Sequence, residues 1–522
     1  MTPLPRDRRA PGLAGWTAGI VGYFALVFTL KALLFSGATP DEGEQLLQAQ
    51  ALHLGYHLEN PPFFTWLTVA LGWLTGPSLG AVSGLRLAAL CLYYVGLLQA
   101  ARYVLRDRAL IVLAALSPVL LWFVGWDALR NYTHSLFMIA ALAWLFVTLL
   151  AWRVSRRRSR DLPYALAVGA ICGLGALSKY LFLLPASTLI AAGAIADRRL
   201  KERLLSRHGA IAALVACALV LPHAIWLLTH AHEFTASIGG VLHGGAPPSA
   251  QPHGLVGLEA FATSGLGFAL PLLPLFALLL GRSVLVGGSS PPPVRPDVKR
   301  WLDWHMALMS LALLVGAIAL HTVGVRQHHF FTFALLPLWL FAQLRGRVAP
   351  WRLQAWRALL AIAAAASAVA LPLRAYTEAQ GCRKCYDVMP YRNYAAQIVN
   401  AGFRSGPILS YSSDFSEPGE NLRRFLPASR VFSTKHPELA FALATAAGEQ
   451  CLVVWDASRE PARAEALMRE PPPLMAVPLP AGSRRGVLTA PLANSERPAP
   501  ALGYALLARG EGGCPRYVGA GR

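Results

Sequence analysis

The sequence predicts an all-α polytopic membrane domain with about eleven transmembrane helices, followed by a small C-terminal α/β domain outside the membrane. Three observations carry this. Hydrophobic residues fill 55% of the 522 positions and charged residues only 14%, well below the roughly one quarter usual in soluble domains. The charges fall between apolar runs, many of them near the about 20 residues a helix needs to cross the hydrocarbon core. From about residue 374 short strand-like runs alternate with helix-like segments.

The apolar runs read as spans at about 15–35, 84–105, 109–126, 134–152, 163–180, 182–196, 209–229, 255–280, 305–321, 329–344 and 357–373. The first exceeds the 7–15 residue core of a secretory signal, so a retained helix is expected. Basic residues cluster in alternate loops, at Arg102/Arg106/Arg108, Arg153–Arg160, Arg198–Arg207, Arg295–Arg300 and Arg345–Arg352. Cytoplasmic loops collect Lys and Arg in this way. No basic patch is interleaved with aromatics, so the net charge of +20 reports topology and not nucleic-acid binding. The opposite loops hold Asp41, Glu42, Glu44, Glu59, Asp127, Arg130, Lys179, the His-rich stretch 230–253 and Arg326–His329.

Residues 61–79 are apolar but open on Pro61-Pro62 and close on Gly76-Pro77. They are read as an interfacial helix within a first outer loop of 36–83, with Trp66 and Trp73 at the headgroup level. The membrane domain is placed at 1–373 and the outer domain at 374–522. Segment 282–304, with its Ser-Ser-Pro-Pro-Pro run, reads as a flexible connection. In the outer domain Pro407–Tyr411, Arg430–Ser433 and Cys451–Trp455 read as strands, and Glu417–Phe425 and Glu438–Ala446 as helices. Cys91, Cys172 and Cys217 fall in spans as small apolar residues. Cys382, Cys385, Cys451 and Cys514 fall outside, where disulfides persist, and three pairings are open. Cys382-x-x-Cys385 is also half of a zinc motif, but a second ligand pair of suitable spacing is missing.

Asp41-Glu42 follow the first span directly. Carboxylates held against a membrane surface acquire shifted proton affinities, which suits general-base work. The plainer reading is a helix over 42–54, capped by Asp41, with Glu42 and Glu44 complementing its dipole. Lys179, at the outer end of a span, and Arg326 both run against the positive-inside trend. Each suits an anionic ligand, and snorkelling to the headgroups is the alternative. His53, His57 and His134 read as interfacial polar residues. The stretch 230–253, with Gly239-Gly240 and Gly244-Gly245, reads as a lid or plain loop, without a clean metal-binding pair.

The segment Asp41-Glu42 … Gly55-Tyr56-His57-Leu58-Glu59-Asn60-Pro61-Pro62 resembles the first outer loop of the polyprenyl-phosphate-sugar glycosyltransferases, the group of the protein O-mannosyltransferases and lipid A aminoarabinose transferases. The resemblance continues through Gly173–Tyr180 and through Arg326-Gln327-His328-His329-Phe330 ahead of Leu335–Pro337. It implies a C-type glycosyltransferase fold, and a sugar moved from a polyprenyl-phosphate donor to an extracytoplasmic lipid, glycan or protein acceptor. In that scheme Asp41 is the base that deprotonates the acceptor hydroxyl. Glu42 and Glu59 shape the site or bind sugar hydroxyls, and Lys179, with Tyr180 beside it, meets the departing phosphate. Arg326 is a second phosphate ligand. Asn60 stands where relatives often carry His or Lys, so either Arg130, His328 or His329 would compensate or the donor's phosphate would be held with fewer charges. The helix from Pro61 and the aromatics Trp122–Trp126 would line the groove for the polyprenyl chain.

The resulting expectation is a metal-independent, inverting glycosyltransferase with no cofactor, in a bacterial inner membrane, with its active site and outer domain on the periplasmic side. A nucleotide site is not expected, since neither a P-loop nor G-x-G-x-x-G after a strand occurs. The rival is a secondary transporter or lipid-linked-sugar flippase, whose repeated halves are absent here.

Overall fold

The structure, a computed structural model, describes residues 12–242, 254–286, 293–380 (save 321 and 323), 386–412, 417–436, 439, 450–459, 461–463, 466, 469 and 482–507. Its membrane part runs α1 (Leu13–Leu34), α2 (Pro40–Gln48), α3 (Phe63–Thr75), α4 (Leu79–Val104), α5 (Arg108–Leu116), α6 (Trp122–Gly125), α7 (His134–Val154), α8 (Asp161–Ser178) and α9 (Leu183–Ala196). It continues through α10 (Arg198–Leu204), α11 (Arg207–Thr229), α12 (Ala231–Leu242), α13 (Gly254–Ala269), α14 (Leu272–Leu285), α15 (Pro296–Ala319), α16 (Leu336–Ala342) and α17 (Pro350–Gln380).

Seven of these, α1, α4, α7, α8, α11, α15 and α17, are long and apolar enough to cross a bilayer. The other four expected spans are short or interrupted. Segment 109–126 is α5, a 3-10 turn at Ser117–Leu120 and α6, while 255–280 is the pair α13 and α14. The two interruptions meet: Leu121 bridges Pro271, and the Trp122 N–H donates to the Leu270 carbonyl at 3.4 Å. Broken backbone at this depth is tolerable because protein surrounds it, and Leu121 is fully buried. The 182–196 span is the 14-residue α9, and 329–344 is a 3-10 segment, Gln327–Phe333, followed by α16.

Small residues let the helices approach. Gly169 and Gly173 present the same face of α8 to Ala212, Val215 and Leu219 of α11, with no room for a Cβ. The predicted inner loops gather at one end. Arg153 pairs with Asp197 at 2.5 Å and with Asp297, Arg203 pairs with Asp161 at 3.3 Å, and the Arg106 N–H donates to Pro293 at 2.8 Å. Asp107 and Asp197 also cap α5 and α10 there.

At the other end stands a five-stranded sheet, after α18 (Tyr391–Asn400): β1 (Pro407–Ser410), α19 (Pro418–Leu422), β2 (Arg430–Ser433), β3 (Cys451–Asp456), β4 (Arg484–Leu488) and β5 (Leu502–Leu507). The order is β2-β1-β3-β5-β4, with β2, β1 and β3 parallel and β5 and β4 antiparallel. The first three strands and the first helix fall where the sequence predicts them. The antiparallel pair was not foreseen. The expected helix Glu438–Ala446 lies outside the described residues but for Leu439. Cys451 is disulfide-bonded, Cys91, Cys172 and Cys217 are free, and Cys382, Cys385 and Cys514 lie outside the described residues.

Three local expectations are corrected. The helix placed at 42–54 is Pro40–Gln48, because proline is best tolerated in a first turn and Thr39, not Asp41, precedes it as the cap. The interfacial helix is Phe63–Thr75, stopped by Gly76 at φ 69°. Residues 231–242 form the helix α12 and not a loop.

Candidate active site

The site is assembled around α2. Glu42, expected to shape the site or bind sugar hydroxyls, is fully buried in the scaffold. It accepts from Lys31 Nζ at 2.6 Å and Ser83 Oγ at 2.7 Å, and pairs with Arg86 Nη2 at 3.1 Å. Its second oxygen reaches back to the Thr39 N–H at 3.1 Å and hydroxyl at 3.0 Å. Burial pushes the Glu42 carboxyl up, but the Lys31 and Arg86 charges outweigh this and leave it at about 2. Glu42 thus ties the first turn of α2 to α1 and α4. It shapes the site from behind.

Asp41 takes the opposite environment. Its Oδ2 accepts the Tyr132 N–H at 2.7 Å. Tyr132 holds φ 65°, a left-handed conformation that favours glycine. Its ring packs on His328 and Phe331, with centroids at 5.5 and 5.3 Å, and its hydroxyl donates to Asp127 at 3.3 Å. Those contacts hold a backbone donor on the carboxylate despite the cost of the conformation. Burial, and next the Glu44 carboxylate, raise Asp41 above the ordinary carboxylate range, opposed by the Tyr132 N–H, Arg86 and Lys179.

Facing it is Lys179, the residue that ends α8, in extended backbone at φ −159°, ψ 132°. Its Nζ donates to Asn60 Oδ1 at 2.9 Å. Asn60 sits in a tight hairpin closed by a His57–Asn60 bridge, with Glu59 exposed at its tip. Asp41, Glu44 and Glu59 act on Lys179 electrostatically, but among the described residues no carboxylate lies within 4 Å of it. A desolvated ammonium with only a neutral partner is suited to an incoming anion.

Arg326 is exposed and makes no ion pair among the described residues, and its N–H donates to His329 Nδ1 at 3.2 Å. His328 stacks edge-on to His329 at 4.4 Å and lies against Tyr132. Lys179 acts electrostatically on both imidazoles. The Tyr180 hydroxyl bonds His223 Nε2 at 2.8 Å, whose Nδ1 bonds the Leu54 carbonyl at 2.8 Å. His223, Trp226 and His230 stack on along α11, and the Trp226 ring fills the space over Gly55. That stack fixes the first outer loop against α11.

The structure thus brings Asp41, Asn60, Lys179, His328 and His329 together, with Glu59 and Arg326 at the margin. Arg130 is placed elsewhere. Its guanidinium pairs with Asp387 at 2.7 Å and lies over Trp126 at 5.9 Å, and its carbonyl accepts from Arg86. The Asp387 carboxylate pairs with it inside the scaffold, away from Lys179 and Asn60, and its Nε is buried without a hydrogen-bond partner among the described residues. Trp122 is exposed on the surface. His134 is buried behind α2, bonded to Gln45 at 3.1 Å, in a network with Gln48 and Thr65. Sequence reasoning missed Tyr132, Lys31, Arg86 and Asp387. The two cations could have been found, since a Lys and an Arg inside apolar spans mark buried partners. No cluster that could hold a metal ion occurs among the described residues.

A polytopic helical domain bearing a small sheet domain at one end has the C-type glycosyltransferase fold. The chain is similar to the polyprenyl-phosphate-sugar glycosyltransferases in fold and over part of its sequence. Residues 59–226 match the family of dolichyl-phosphate-mannose-protein mannosyltransferases. Over 465 residues the chain is 28% identical to the lipopolysaccharide core galacturonosyltransferase RgtA of Rhizobium johnstonii, covering 87% of this chain and 89% of that one. Over 308 residues it is 28% identical to RgtB of the same organism, covering 58% of this chain and 59% of the relative. The crystal structure of ArnT from Cupriavidus metallidurans bound to undecaprenyl phosphate superposes with a TM-score of 0.62 at 14% identity, covering 94% of this chain and 98% of that one. At that identity the likeness is one of fold.

Proposed function

We propose that the protein transfers a single uronic acid from a polyprenyl-phosphate donor to a hydroxyl of the lipopolysaccharide core, at the periplasmic face of a bacterial inner membrane. The observation that carries this reading is the confrontation of Asp41, held by the Tyr132 N–H, with a Lys179 that lacks a carboxylate partner within 4 Å among the described residues. Asp41 takes the proton of the acceptor hydroxyl, whose oxygen attacks the anomeric carbon as the bond to phosphate breaks, inverting that carbon. Lys179 stabilises the charge that grows on the leaving phosphate, the largest electrostatic demand of the step. Asn60 orients the Lys179 ammonium.

Two relatives named as lipopolysaccharide core galacturonosyltransferases support the choice of sugar and acceptor. The exposed Arg326 and the adjoining His328 and His329 are suited to a sugar carboxylate or a second phosphate oxygen. The test is transfer of label by purified full-length protein from polyprenyl-phosphate galacturonate to core-containing lipopolysaccharide. Incorporation with inverted anomeric configuration supports the reading. No incorporation from this donor, with incorporation from a neutral-sugar donor, overturns the choice of sugar.

A further inference from the structure

A cleft lies against the C-terminal half of α2. It has a volume of about 120 Å³ and lies between α3, the start of α4 and the outer domain, with Leu46, Thr68, Val69, Gly72, Trp73 and Arg423 among its walls. Trp73 is 73% exposed and its neighbour Leu74 84%. An apolar helix exposing Trp and Leu at this level belongs in the headgroup region of a leaflet. The cleft therefore opens where lipid is the surrounding medium.

Arg423 is the one charged residue on its walls. Its Nη1 donates to the Leu46 carbonyl at 3.1 Å, while its Nε is buried with no hydrogen-bond partner. Burial lowers the guanidinium to about 10, and among the described residues Arg423 makes no ion pair. The neighbouring Arg424 differs, since the Glu42 charge acts on it. A guanidinium taken out of water without an anion is costly, so its partner is expected from outside the chain. Planar guanidinium is matched to phosphate, and the apolar walls are matched to the acyl region beneath it.

We propose that this cleft holds the phosphate headgroup of an anionic phospholipid from the outer leaflet of the same membrane, with Arg423 as its counter-ion. The lipid would bridge α3, α4 and the outer domain, and so brace α2 along its C-terminal half. The proposal does not depend on which sugar is transferred.

Native mass spectrometry of the purified full-length protein tests this, with phosphatidylglycerol, phosphatidylcholine of the same chains, and glycerol 1-phosphate as probes. Retention of phosphatidylglycerol in preference to the other two is expected. Arg423→Gln should weaken that retention by about tenfold. Gly72→Leu is the second variant, because a side chain there meets no atom within 4 Å and grows into the cleft. The change also raises helix propensity, so folding is preserved. It should displace the lipid while leaving Arg423 in place. Equal retention of phosphatidylcholine, binding of glycerol 1-phosphate as tight as that of the lipid, or undiminished retention by Gly72→Leu overturns the proposal. So does a site that takes up lipopolysaccharide but not phosphatidylglycerol.

Discussion

The backbone N–H of Tyr132 donates to Asp41 Oδ2 at 2.7 Å from a left-handed conformation at φ 65°. This bond aims the carboxylate proposed as the catalytic base. The donor is main chain, so side-chain changes at 132 separate aim from packing. Tyr132→Gly keeps the N–H and relieves the φ, and should hold kcat within about tenfold of wild type. Tyr132→Pro, which removes the donor and fixes φ near −65°, should abolish turnover. Steady-state kinetics on the two variants decide it.

Asp41 carries a linked stability signature. Its carboxyl lies above the ordinary range because of burial and then Glu44. A raised folded-state pKa gives stability that is present below the unfolded value and lost as pH rises through the folded value. Activity needs the deprotonated base, so it rises across the same window. Asp41→Asn should therefore raise Tm at pH 8 while removing activity, and the gain in Tm should vanish as pH falls below the ordinary carboxylate range. Thermal unfolding against pH, beside the kcat/KM profile of wild type, measures both.

Glu42 makes the opposite prediction. It neutralises Lys31 and Arg86 where neither reaches water. Glu42→Gln leaves two buried cations facing each other and should destabilise by about 3–5 kcal/mol. The loss should appear as a lowered unfolding midpoint in detergent. An unchanged midpoint would show that the triad does not tie α2 to the spans.

The outer domain presses on the same helix. A Cβ at Gly43 would collide with the Glu417 carboxylate, Asn421 Oδ1 accepts the Ala38 N–H at 2.9 Å, and Arg424 donates to the Ser36 carbonyl at 2.8 Å. Gly43→Ala should lower kcat by about tenfold or more through a shift of α2, since misplacement of about 1 Å costs on the order of 100-fold. Combining it with Glu417→Ala should restore most of the loss. A double-mutant cycle on kcat reads the coupling.

Much of this was legible in the sequence, and for identifiable reasons. Seven of the eleven expected spans were legible because apolar length is a strong signal, and the gathering of the basic loops at one end was legible because Arg and Lys cluster in alternate loops. Asp41, Asn60 and Lys179 were legible as polar residues at outer span ends. What was hidden depends on three dimensions. Nothing local marks Tyr132 as left-handed, because its conformation is imposed by His328 and Phe331 from a segment near 330. Arg130 reads like a phosphate ligand until Asp387, more than 250 positions away, occupies it. The strands β4 and β5 escaped notice because β4 is half-exposed and carries Arg484 and Arg485, which dilute the apolar pattern.

Lys179 should act on the leaving group and not on folding. Lys179→Met should reduce kcat by about 10²–10³, the usual scale for one oxyanion-stabilising donor, with the unfolding midpoint kept. Lys179→Arg should recover part of the rate, and loss of both midpoint and rate would assign it to structure instead.

The pairing of Asp41 with the acceptor hydroxyl is tested most directly by single-turnover transfer from a bound polyprenyl-phosphate sugar, comparing wild type with Asp41→Asn. The predicted result is a fall in the transfer rate of about 10²–10⁴, as for a lost general base, with donor affinity unchanged. Transfer by Asp41→Asn at the wild-type rate would contradict the assignment.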